Sequence, residues 1–132
     1  MEETPKIQHI PVKMYRTPDR LTIAAPMPGV QPEDIQVQVT ENRRLVLQAA
    51  LRGVLKDVKE LLLDEWSVGN YYRELEIQDA VDGEHANVTY GNGVLVVVLP
   101  ISQETVPATL VLDKTAKDFG EYVGNSGHKQ TE

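Results

Sequence analysis

The sequence predicts an all-β sandwich, and three observations carry the prediction. Gly91-Asn92-Gly93 is a turn signal, because glycine and asparagine tolerate positive φ. Val94 to Leu99 then form an unbroken apolar run rich in β-branched residues. Its length and composition suit a strand buried on both faces, and Pro100 ends it, since proline cannot donate to a ladder. Upstream, Ile35-Gln36-Val37-Gln38-Val39-Thr40 alternates strictly, with Ile35, Val37 and Val39 on one face. Short strands and turns at this spacing are the pattern of a sandwich.

The totals agree with one domain. The chain has 132 residues, 41% hydrophobic and 25% charged, which is an ordinary globular composition. A net charge of -7 argues against a phosphate-binding surface, so nucleic acid is not an expected partner. Cysteine is absent, which excludes disulfides and thiolate metal sites. Met1-Glu2-Glu3-Thr4-Pro5 is acidic, and no stretch approaches the ~18 apolar residues of a membrane span. A cytoplasmic location with no membrane partner is the expectation.

Taken in order, Met1 to Gln8 are short and polar. Ile10-Pro11-Val12-Lys13-Met14-Tyr15 reads as a first strand. Thr17-Pro18-Asp19-Arg20 reads as a turn and Leu21 to Ala25 as the returning strand of a hairpin. Pro26-Met27-Pro28-Gly29 stops it. After Ile35 to Thr40, Glu41-Asn42-Arg43 turns into Leu45 to Ala49. Between Leu51 and Asp64, the residues Val54, Leu55, Val58, Leu61 and Leu62 fall at helical spacing, so local pattern reads a short amphipathic helix. Tyr71 to Ile77 alternates, with Arg73 interrupting an otherwise apolar face. Ala86 to Tyr90 enters the central turn. Beyond Pro100 the chain is polar apart from Thr109-Leu110-Val111-Leu112. In an extended segment Leu110 and Leu112 point the same way. They stay exposed, anchor in a groove on this domain or a neighbouring subunit, or form the last strand of the same sheet.

Catalytic and metal constellations do not stand out. His9, His85 and His128 are scattered, with no second ligand at metal spacing. There is no Gly-x-Ser-x-Gly, His-Glu-x-x-His or phosphate-loop pattern, and Gly91 and Gly93 precede a strand where a phosphate cradle needs a helix. The remaining chemistry is binding through apolar surface and sheet edges.

On these residues the chain resembles the small heat-shock proteins, the α-crystallin domain family. Val88-Thr89-Tyr90-Gly91-Asn92-Gly93-Val94-Leu95 is similar to that family's A-x-x-x-N-G-V-L signature, with Val88 in place of alanine. Ala25 to Val30 followed by Pro32-Glu33-Asp34-Ile35 resembles its L-P-G-v-x-x-e-d-I stretch. Tyr71-Tyr72-Arg73-Glu74-Leu75 resembles its aromatic-x-Arg strand. Leu110-Val111-Leu112 stands where the family carries I-x-I.

The resemblance implies an immunoglobulin-like β-sandwich over residues 10–101, with a strand-exchange loop. A short arm, 1–9, would precede it, and an extended C-terminal tail, 102–132, would carry the Leu110/Leu112 anchor. It offers a second account of the ambiguous segment, in which Glu60 to Trp66 hold a strand exchanged with a partner. Leu61, Leu62, Leu63, Trp66 and Arg73 would then lie at a dimer interface. Its groove would be lined by Ile35, Val37, Val39, Ala86 and Val88, although alternation alone does not separate groove from core. The implied activity is that of an ATP-independent holdase with no cofactor and no catalytic residue. Its partners would be unfolding client proteins and further copies of itself. A non-catalytic adaptor like the CS-domain co-chaperones is the alternative on the same fold.

Overall fold

The computed structural model describes residues 6–50, 60, 62–63, 69–112 and 121–123. Its strands are β1 (Lys6–His9), β2 (Lys13–Arg16), β3 (Arg20–Pro26), β4 (Ile35–Val39), β5 (Arg44–Ala49), β6 (Gly69–Glu76), β7 (Asn87–Gly91), β8 (Val94–Pro100), β9 (Ala108–Val111) and β10 (Glu121–Val123). They form two five-stranded sheets, ordered β1-β6-β5-β4-β9 and β10-β7-β8-β3-β2. The β1–β6 pair is parallel and the other pairs are antiparallel. The inner faces meet in one apolar cluster, so the fold is a β-sandwich.

Two turns show the sequence acting locally. Asn92 and Gly93 both take positive φ, 54° and 80°, between the paired residues Gly91 and Val94. That is the two-residue turn whose twist matches a hairpin. In the β4–β5 turn Arg43 also takes a positive φ of 63°. Its strain is offset by bonds at both ends. The Arg43 carbonyl accepts from Ile77 N–H at 2.8 Å, and its guanidinium donates to the Gln78 carbonyl at 3.0 Å.

β4 alternates as expected, with Ile35, Val37 and Val39 buried and Gln36 and Gln38 half-buried outside. β8 departs from expectation. Leu95, Val97 and Leu99 are fully buried, but Val94, Val96 and Val98 face outward and are partly exposed. β8 is central within its sheet, yet no second layer covers the outer face among the described residues. The outward valines instead pack across the pleat, with Ala24 opposite Val96, Thr22 opposite Val98 and Thr89 opposite Val96. A β-branched run therefore marked a central strand, not one buried on both faces.

The N-terminal boundary moves as well. Pro11 lacks an N–H, and the ladder on β3 begins only at Lys13, opposite Ala24. Ile10 plugs the core at 0% exposure, and Lys6–His9 pairs with Gly69 to Tyr72. The segment predicted as helix or exchanged strand lies mostly outside the described residues, so neither reading is resolved there.

Candidate functional site

β4 of one sheet and β7 of the other are each the last strand but one of their sheets, flanked by β9 and β10. β4 turns Ile35, Val37 and Val39 inward, and β7 with its preceding residue contributes Val88 and Ala86. All five are within 1% of full burial. All five are inner-face residues of the core cluster.

β9 covers the edge of β4 from the same chain. It pairs antiparallel with β4, setting Leu110 opposite Val37 and Ala108 opposite Val39. Leu110 is 0% exposed and Leu112 3%, and both join the core cluster that contains these five residues. Of the expectations for this tail triplet, the structure shows the last strand of the domain's own sheet. β10 continues the pattern, pairing antiparallel with β7 so that Tyr122 stands opposite Tyr90.

The other candidate residues lie apart. Arg73 sits on the inner face of β6 and donates to the Ile10 carbonyl at 2.5 Å, fixing the crossing from β1 to β2 within one chain. Leu62 and Leu63 are 85% and 72% exposed beside Glu60. Leu61 and Trp66 fall outside the described residues.

Two sets of residues escaped the sequence reading. Tyr90 on β7 and Tyr71 on β6 both donate their hydroxyls to the connection after β3, Tyr90 to the Met27 carbonyl and Tyr71 to the Pro28 carbonyl, each at 2.8 Å. Burial pushes both phenol pKa values up. The second set is a clasp between the loop 80–83 and the linker from β8 to β9. Ser102 N–H donates to the Ala80 carbonyl, Val106 N–H to the Val81 carbonyl and Gly83 N–H to the Val106 carbonyl, at 2.9, 2.9 and 2.8 Å. Asp82 shapes that loop by accepting from Glu84 N–H at 3.0 Å, and its other oxygen lies 2.6 Å from His85 Nδ1. These clasp contacts are backbone bonds, which no side-chain pattern announces. Among the described residues no cluster of His, Cys, Asp and Glu could hold a metal ion, and no helix is long and apolar enough to cross a membrane.

Comparison with known proteins places this arrangement. The family model for the Hsp20/alpha crystallin family matches residues 13–110. The "Probable 15 kDa heat shock protein" of Leptospira interrogans is 31% identical over 90 residues, covering 67% of this chain and 67% of that protein. The 18 kDa heat shock protein of Streptomyces albus is 28% identical over 96 residues, covering 71% and 66%. The chain thus spans about two thirds of the length of these relatives. Among solved structures, HspA of Xanthomonas axonopodis superposes with a TM-score of 0.63 at 19% identity, covering 74% of this chain and 98% of that one. Heat shock protein 16.0 of Schizosaccharomyces pombe gives 0.62 at 20%, covering 79% and 74%. These structural likenesses bear on the fold, and the match over residues 13–110 bears on descent. Sandwich, signature turn and sequence all converge, and the chain belongs to the Hsp20/alpha crystallin family.

Proposed function

We propose that this chain is an ATP-independent holdase, which binds apolar segments of unfolding proteins and slows their aggregation. The burial of Leu110 against β4 carries the reading. There an extended apolar strand adds to β4 with its backbone in a ladder and its leucines buried, the mode by which an apolar segment of a client would add. A surface that binds non-native chains lowers their free concentration by mass action and needs no nucleotide. No cofactor enters this scheme, and a cytoplasmic setting accords with a chain lacking cysteine.

The same reading makes the working unit a homodimer built by strand exchange, with Arg73 near the contact. Leu62 and Leu63 project from an acidic stretch that includes Glu60 and Asp64. Among the described residues β2 has a ladder neighbour on one side only and presents Lys13, Met14, Tyr15 and Arg16, all exposed, with Arg16 paired to Asp79 at 3.0 Å. An apolar strand from a second copy matches that edge in hydrogen bonding.

Light scattering from a heated client protein, with and without this chain, tests the holdase. Suppression is expected, and its absence at several-fold molar excess overturns the reading. A Leu62→Ser/Leu63→Ser variant should shift native mass spectra from dimer toward monomer. A wild-type chain that is monomeric throughout would instead favour an adaptor role.

A further inference from the structure

We propose that Asn92 is a site of spontaneous covalent modification: its side-chain amide closes onto the Gly93 nitrogen and ends as isoaspartate, and the β7–β8 turn gates that conversion.

The chemistry is intramolecular. The Gly93 backbone nitrogen attacks Asn92 Cγ and gives up its proton. The new N–Cγ bond closes a five-membered imide, and the Cγ–Nδ2 bond breaks with ammonia as the leaving group. Water, the only co-reactant, then opens the imide at one of its two carbonyls. The product is aspartate or, with the backbone rerouted through Cβ and Cγ, isoaspartate. Glycine in second place favours the attack, because no Cβ shields its nitrogen.

The sequence holds two pairs that could react in this way, Asp82-Gly83 and Asn92-Gly93. The structure separates them. Gly83 N–H donates to the Val106 carbonyl at 2.8 Å, and the Asp82 carboxylate accepts from Glu84 N–H at 3.0 Å and lies 2.6 Å from His85 Nδ1. Nucleophile and electrophile are both occupied there. Asn92 is exposed at the tip of its turn, and neither its amide nor the Gly93 N–H has a hydrogen-bond partner among the described residues.

Torsion is what restrains Asn92. Its φ of 54° and the 80° of Gly93 are those of a mirror-image type I turn, whose first central residue has ψ of about +30°. Such a ψ sets the Gly93 nitrogen about 150° from Asn92 Cβ around the Cα–C bond, whereas ring closure needs the two nearly eclipsed. The turn must therefore open before the imide forms. It is pinned from the far side. The Gly93 carbonyl accepts from Met27 N–H at 2.7 Å, and a Cβ on Gly93 would stand 3.4 Å from Pro28 Cβ. The Tyr90 and Tyr71 phenols in turn hold the Met27 and Pro28 carbonyls, each at 2.8 Å. Isoaspartate adds a backbone atom to this two-residue turn, which moves the Gly93 carbonyl out of register with Met27 N–H. Conversion thus makes a transient opening permanent.

The test follows the full chain through incubation at mildly alkaline pH, folded in buffer and unfolded in urea. Mass spectrometry of the peptide spanning Asn92 and enzymatic methylation of isoaspartate give the rate. Asn92 is expected to convert at least about tenfold more slowly in the folded chain than in urea. Folded Tyr90→Phe, which loses the bond to the Met27 carbonyl, is expected to convert at least about threefold faster than folded wild type. Asn92→Gln should remove the signal. Equal rates in buffer and in urea overturn the gate, and so does a Tyr90→Phe chain that converts no faster than wild type. Isoaspartate arising at Asp82 before Asn92 in the folded chain overturns the assignment, as does an intact Asn92 in urea while other asparagines convert. If Tyr90→Phe does not fold, Tyr71→Phe, checked by circular dichroism, decides the comparison.

Discussion

The Tyr90 hydroxyl donates to the Met27 carbonyl at 2.8 Å, and Met27 N–H donates to the Gly93 carbonyl at 2.7 Å. The residue that follows β3 is therefore held on both of its backbone groups by the β7–β8 hairpin. Removing the Tyr90 hydroxyl leaves a carbonyl beside the core unmet. Tyr90→Phe is expected to cost about 1–3 kcal/mol, read as a lower urea midpoint at unchanged slope.

Alkaline pH should act on the same contact. Burial raises the pKa of Tyr71 and of Tyr90 above 10.0, and Tyr71 reinforces the effect on Tyr90. The folded state thus holds these protons more tightly than the unfolded chain. The contribution is fully present below about pH 10 and is lost as pH rises through the folded values. Denaturation midpoints should hold steady at neutral pH and fall in that alkaline window. A Tyr71→Phe/Tyr90→Phe chain should show a flatter fall, and an equal fall would refute the assignment.

Leu110→Ala tests where the tail belongs. With Leu110 at 0% exposure inside the domain, truncation should cost about 2–5 kcal/mol. The loss should not depend on protein concentration, because donor and groove share one chain. A loss that vanishes on dilution would mean that the leucine seats on a neighbour.

Arg73→Ala removes a charged donor from the Ile10 carbonyl and should cost about 1.5–3 kcal/mol, detected by thermal unfolding. Arg73→Lys should recover part of it. If the residue also contacts a second subunit, native mass spectrometry will show the dimer weakened in Arg73→Ala beyond what the protomer's lost stability explains.

The elements legible in the sequence are those whose signal is carried by side chains. Ile35, Val37 and Val39 were readable from alternation, and Asn92-Gly93 from its tolerance of positive φ. What stayed illegible is carried by backbone or by context. Lys6–His9 has no strand composition and becomes β1 because β6 offers it a parallel edge. Arg73 reads as a surface charge or an interface residue, and only the neighbouring Ile10 carbonyl explains its inward position. Gly83 sits in a loop-like Asp-Gly pair, and nothing in the chain announces that Val106 closes over it. For Ile35, Val37, Val39, Ala86 and Val88 groove and core could not be told apart from alternation, and all five lie in the core cluster.

The pairing of β3 with β8 sets Leu21 opposite Leu99 and Ile23 opposite Val97. A ribosome therefore releases β3 long before it makes the strand that covers it. The β4–β5 and β7–β8 hairpins close locally and fast, on the order of microseconds. The sandwich waits for contacts remote in sequence, and such topologies fold in milliseconds to seconds. During that interval Leu21, Ile23 and Ala25 lie bare, which makes the nascent chain an aggregation risk of the kind that the finished protein is proposed to suppress. Slowing translation before β8 is made should raise its loss to inclusion bodies.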